Sequence, residues 1–125
     1  MEHHLKNAVL LVSHGSRSPK TKKEITRLVK VLQKQSRIPI VEYAFLEIEK
    51  PSIPDGIARC IKKGAEKIIV TLNFLNSGRH VDIDIPGILF QAKRKYPKIF
   101  FFISKPVGQH PRIQELFIDM IHEPT

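Results

Sequence analysis

Two histidines could do chemistry: His14 in Ser13-His14-Gly15-Ser16-Arg17, and His80 in Gly78-Arg79-His80-Val81-Asp82. A neutral imidazole binds borderline metal ions and also takes a proton near neutral pH. Two imidazoles with one carboxylate would hold a divalent ion and still release it, whereas four strong ligands would trap it. Glu47, in Phe45-Leu46-Glu47, is the carboxylate that follows the second strand-like run. Each of these has a plainer reading. His14 before Gly15 reads equally as a strand-end residue ahead of a tight turn, and His80 as an ordinary loop histidine. Glu47-Ile48-Glu49-Lys50 reads as a solvated strand exit.

Ser13 and Ser16 flank His14, but a hydrolase needs an acid to orient the histidine, and none is obvious nearby. There is no G-x-S-x-G elbow, no G-x-x-x-x-G-K-[ST] loop and no G-x-G-x-x-G after a strand, so nucleotide-driven chemistry has no visible home. His3, His4, His110 and His122 read as surface or terminal residues, and Asp82 and Asp84 as caps of a helix.

The elements that must position the two histidines alternate as strand and helix. Ala8 to Ser13, Ile40 to Leu46, Lys67 to Asn73 and Ile99 to Ser104 are short apolar runs, as expected of strands buried on both faces. Between them lie amphipathic helices. Ser18-Pro19 offers an N-cap and first-turn proline, Thr21 with Glu24 an alternative capping box, and Ile25, Leu28, Val29 and Leu32 an apolar face. A second helix begins near Ile53-Pro54-Asp55 and ends at Gly64, a third runs from about Asp84 to Tyr96 after a loop from Phe74 to Val81, and a last from Pro111 to His122. The pattern predicts α/β architecture over residues 1–125 as one domain: a doubly wound three-layer sandwich on a four-stranded parallel sheet, helices covering both faces. The simplest strand order is 2-1-3-4. Ligands of such sheets bind beyond the carboxyl ends, where strand order reverses. That point lies between strands 1 and 3, so the loops carrying His14 and His80 would flank one crevice.

Composition narrows the partners. The chain has 21 Lys and Arg against 12 acidic residues, a formal charge of +9, which favours polyanions. For most single basic residues the competing reading is solvated helix surface. No zinc-finger spacing, RNP-like strand or helix-turn-helix supports nucleic acid as the partner. No apolar run approaches the roughly 20 residues that span a bilayer, and a lone cysteine, Cys60, suits a reducing compartment. A cytoplasmic protein without a membrane partner is expected.

Several segments in order resemble the class II sirohydrochlorin chelatases. They are Leu11 to Arg17, Phe45-Leu46-Glu47 with Pro51, Gly56-Ile57, Gly64-Ala65, Phe74-Leu75 with Gly78-Arg79-His80-Val81, Asp84-Ile85-Pro86, and Lys105-Pro106-Val107-Gly108. The resemblance implies a chelatase-like fold and insertion of Co²⁺ or Fe²⁺ into sirohydrochlorin, on the route to cobalamin or siroheme, with no nucleotide or other organic cofactor. A related branch handles Ni²⁺. It implies that His14 and His80 handle the metal, with Glu47 as a third participant, and that a short chain of this kind works as a homodimer. Sirohydrochlorin is a polycarboxylate, so Arg17 and Arg79, beside the histidines, are expected to bind it bidentately. Ser16, Lys20 and Lys105 are further candidate contacts. Asn73, where many members carry proline, and the polar Asn76-Ser77 depart from the pattern and bear on the shape of the crevice. The rival readings are a tetrapyrrole- or metal-binding protein without turnover, and a basic nucleic-acid-binding module.

Overall fold

A computed structural model of the chain describes residues 5–123; His3 and His4 lie outside them. The elements run β1 (Asn7–Ser13), α1 (Pro19–Ser36), β2 (Ile40–Phe45), α2 (Ile53–Lys62), β3 (Lys67–Leu72), a π-helical turn (His80–Asp84), α3 (Ile85–Lys95), β4 (Phe100–Pro106), a 3-10 turn (Val107–Gln109) and α4 (Ile113–His122). All strands pair in parallel, in the order β2-β1-β3-β4, as the alternation predicts. Among the described residues no helix is long and apolar enough to cross a membrane.

The strands sort their side chains by parity. Ala8, Leu10 and Val12 of β1 join Ile68, Val70 and Leu72 of β3 under Ile53, Ile57 and Cys60 of α2 and Ile85 and Leu89 of α3. Burial pushes the Cys60 thiol up to about 12, with nearby Glu42 adding to the effect. On the other face Val9, Leu11, Val41 and Phe45 pack against Ile25 and Val29 of α1.

Local signals explain the helix ends. Ser52 caps α2 by accepting from the Asp55 N–H. Gly64, at φ 103°, closes α2 as a Schellman motif, with Gly64 N–H bonding to Ile61 O and Ala65 N–H to Cys60 O. Ser18 stands at the N-cap of α1 without a side-chain cap bond, and its own N–H bonds to Ser16 Oγ.

One expectation needs correction. The third helical segment begins earlier than the sequence suggests, because the π-helical turn at His80–Asp84 runs directly into α3. Helices lie on both faces of the sheet, as expected, but cover one of them only in part. α1 shields the β1–β2 half of its face, but Phe100 and Phe102 of β4 remain about three-fifths exposed. The cause is α4, which leaves on the 3-10 turn and buries no residue of its own.

Gly56 sets how closely α2 sits on the sheet. A Cβ there would stand 2.8 Å from Leu10 Cδ1 and 2.9 Å from Ala44 Cβ. Glycine inside a helix costs about 1 kcal/mol relative to alanine, so close approach accounts for its presence. Gly56→Val is expected to cost about 1–3 kcal/mol through overpacking. Urea unfolding should show a lower midpoint at unchanged slope; an unmoved midpoint would mean that α2 does not sit this close.

Candidate metal site

The β1–β2 ladder continues past the strand ends. Leu46 N–H bonds to Ser13 O at 2.8 Å and Glu47 N–H to His14 O at 3.0 Å. Here the chain after β1 lies directly on the chain after β2. Gly15, at φ 107°, makes this contact feasible, because a Cβ would stand 1.9 Å from Glu47 O. Glu47 is thereby delivered to His14, with Oε1 2.6 Å from Nε2.

His80 arrives from the far side of the crevice. Asn73 bonds through its N–H to Val12 O and through Nδ2 to Ser13 Oγ, tying the exit of β3 to that of β1. Gly108 then packs on the backbone of Leu75, where a Cβ would meet Leu75 O at 1.7 Å, and its N–H bonds to Phe74 O. Gln109 Nε2 donates to Ser77 Oγ. With the loop so held, the first residue of the π-helical turn places His80 Nε2 3.9 Å from Glu47 Oε1. The two imidazole centroids are 5.1 Å apart.

The outer ring nitrogens settle which atoms face the centre. His14 Nδ1 meets Gly15 O at 3.2 Å, a group that only accepts, so Nδ1 carries hydrogen. His80 Nδ1 meets Asp84 Oδ2 at 2.8 Å and donates to it. In both rings Nε2 is the atom turned toward Glu47. The Asp84 carboxylate on the outer nitrogen of His80, and the Gly15 carbonyl on that of His14, fix the orientation of the two rings.

His14, Glu47 and His80 offer ligand atoms that all lie within 4.8 Å of one another. Nitrogen and oxygen ligands sit about 2.0–2.2 Å from a small divalent ion, so two ligands on one ion are no more than about 4.4 Å apart. A slight side-chain rotation therefore closes the trio on an ion. Two imidazoles and a carboxylate suit Fe²⁺ and similar metals and leave coordination positions open. All three side chains are roughly half-exposed, so the open positions face solvent.

The other sequence candidates do not join this centre. Arg17, Lys20, Arg79 and Lys105 are exposed, and none is within hydrogen-bonding contact of the trio. Lys105 instead helps line a cavity of about 330 Å³ with Thr71, Ser104, Gln109 and His110. Ser16 uses its N–H on Glu49 Oε2 and its hydroxyl oxygen to accept from Ser18 N–H. His110 and His122 are exposed and apart from the trio.

Two sequence readings change. An acid does stand beside His14, and it is Glu47; neither neighbouring serine bonds to the imidazole, so no nucleophile completes a hydrolytic triad. Asp84 makes no side-chain cap bond and binds His80 instead. The i, i+4 spacing of His80 and Asp84, neighbours on one helical face, was the signal that could have found it.

A family model described as CbiX matches residues 8–124. The chain is 32% identical over 117 residues to the chloroplastic sirohydrochlorin ferrochelatase of Arabidopsis thaliana, covering 94% of this chain and 50% of that protein. It is 28% identical to a sirohydrochlorin cobaltochelatase of Methanopyrus kandleri, covering 93% of this chain and 95% of the relative. Among solved structures it resembles the sirohydrochlorin chelatase SirB from Bacillus subtilis subspecies spizizenii in complex with cobalt. The TM-score is 0.86 at 30% identity, covering 94% of this chain and 50% of that one. The chain thus spans about half the length of several relatives that it matches.

Asp84→Asn is expected to weaken Co²⁺ binding about 10–100-fold, since the amide no longer favours the imidazole orientation that the carboxylate enforces. Titration followed by cobalt absorption bands measures this. Affinity equal to wild type would remove Asp84 from the support of the site.

Proposed function

The chain belongs to the CbiX family, and from that premise we propose that it inserts a divalent metal ion, Co²⁺ or Fe²⁺, into sirohydrochlorin. The observation that carries the reading is the convergence of His14, Glu47 and His80 at the carboxyl ends of β1, β2 and β3. Insertion exchanges one divalent cation for two pyrrole N–H protons, with no change of oxidation state and no call for a nucleotide or other organic cofactor. The ion must shed water and be held briefly, which two imidazoles do without competing strongly with the ring. The departing protons need bases: His80 is backed at Nδ1 by the Asp84 carboxylate, whereas His14 is backed by the Gly15 carbonyl and meets Glu47 at the nitrogen that faces the ion. Metal binding and protonation compete for the same nitrogens, so metal affinity rises with pH.

The polycarboxylate ring is held by exposed cations around the trio. Arg17 and Arg79 flank the histidines in sequence, with Lys20 and Lys105 further out and the Ser16 hydroxyl free to donate. An excess of nine positive charges steers such a substrate toward the protein. A cytoplasmic setting, which keeps ferrous iron reduced, fits a chain whose single thiol is buried and free.

The working form in this reading is a homodimer. α4 presents Ile113, Leu116, Phe117, Met120 and Ile121 at helical spacing on one face, with none of them buried. It carries Glu115 and Asp119 and no Lys or Arg, whereas the uncovered sheet face bears Lys67, its Nζ 4.8 Å from the Phe102 ring centroid. An acidic, apolar helix and a basic, apolar sheet face in one chain complement each other across a two-fold axis. Covering the exposed parts of Phe100, Phe102, Leu116, Phe117, Met120 and Ile121 stabilises by about 1 kcal/mol each, or about 12 kcal/mol for two copies. That is comparable with an association cost of about 4–15 kcal/mol.

Anaerobic absorbance of sirohydrochlorin with Co²⁺ or Fe²⁺ should show faster metallation with the protein than without it. His14→Ala and His80→Ala should each lose that acceleration while keeping the fold, since both side chains lie outside the core. A shifted tetrapyrrole spectrum without faster insertion would point to a binding protein. Nucleic-acid binding that survives both substitutions and falls steeply with salt would point to the basic module.

Sedimentation should give a dimer, and Phe102→Asp should shift it toward monomer with unchanged far-ultraviolet dichroism. A wild-type monomer at micromolar concentration would sink the dimer.

A further inference from the structure

His14 and Glu47 sit on separate connections, and something must hold those connections together at the 2.6 Å of their contact. We propose that Glu49 is a positioning residue that latches the His14 loop onto the turn carrying Glu47. The proposal rests on the metal-site reading above.

The turn does not hold its shape unaided. Ile48 adopts φ 73°, a left-handed conformation that a β-branched side chain strongly disfavours. Glu49 N–H bonds to Glu47 O at 2.8 Å, closing a three-residue γ-turn around Ile48. The Ile48 side chain is more than half exposed, so its burial does not offset the strain. The restraint has to come from neighbouring contacts.

Glu49 supplies one. Its Oε2 accepts from Ser16 N–H at 2.9 Å, two residues beyond His14 and two residues beyond Glu47. Both partners are half-buried, so the charged hydrogen bond is only partly screened, and the Ser16 amide gains the acceptor that a half-buried N–H requires. Lys22 Nζ, bonded to Lys50 O, adds a more exposed tether from α1. Glu49 lies outside the trio that faces the ion, so its effect passes through backbone geometry.

The test compares Glu49→Ala with Glu49→Gln, because the glutamine oxygen accepts the same N–H. Hydrogen exchange at the Ser16 amide should quicken in Glu49→Ala and stay near wild type in Glu49→Gln. Co²⁺ dissociation constants should rise about 10-fold in Glu49→Ala and change little in Glu49→Gln. Metallation kinetics should show a lower kcat with KM for the tetrapyrrole unchanged. Wild-type Co²⁺ affinity and Ser16 protection in Glu49→Ala, or equal damage in both variants, would overturn the latch and leave the metal site standing. A wild-type protein that binds no Co²⁺ would overturn the metal reading and, with it, the purpose of the latch.

Discussion

At Gly15 the backbone passes so close to the Glu47 carbonyl that a Cβ would stand 1.9 Å from its oxygen. Everything chemical in the molecule depends on this approach. It lets the parallel pairing of β1 and β2 run beyond the strands, which brings a carboxylate from one connection to an imidazole on another. An alanine at the left-handed φ of Gly15 would be strained even in open space, and here the space is taken. Gly108 repeats the device on the opposite side, where its contact with Leu75 fixes the loop leading to His80. Two glycines therefore set the width of the crevice.

The sheet was legible because its signal is redundant. Four apolar runs separated by amphipathic helices leave few topologies once crossovers must be right-handed, and the order 2-1-3-4 is observed. The meeting of His14 and His80 was legible for the same reason, as a consequence of strand order. Asp84 was misread because an acidic residue ahead of a helix resembles a cap, whereas the helix already begins at His80 and brings the i, i+4 pair together. Glu49 was invisible, since its partner is a backbone N–H that leaves no mark on sequence. The fate of α4 was illegible for a deeper reason. Amphipathicity says that a helix needs an apolar surface, not that the surface belongs to the same chain.

Electrostatics divides the work between two ranges. Near the centre, carboxylates outnumber free bases: Glu47 stands on His14, Asp84 on His80, and Glu49 on Ser16. Negative charge close to the ligating nitrogens favours a divalent cation. Farther out the sign reverses, as Arg17, Lys20, Arg79 and Lys105 face solvent in a chain of net charge +9. In the proposed reaction the cation would meet the carboxylates of the trio, and the anionic macrocycle the exposed basic residues. Such an arrangement suits a reaction whose two substrates carry opposite charge.

The exposure of the trio and the bareness of the β4 face bear on each other. In the proposed reaction, ligands half open to water would need a further surface to shield the ion and the ring. The uncovered apolar strand lies on the α1 side of the sheet, the side onto which Thr71 of the Lys105–His110 cavity also projects. Thr71 and Ser104 of that cavity continue the face on which Phe100 and Phe102 stand. In the proposed dimer, α4 of one copy would cover the apolar strand of the other, and association would thereby be linked to the proposed catalysis.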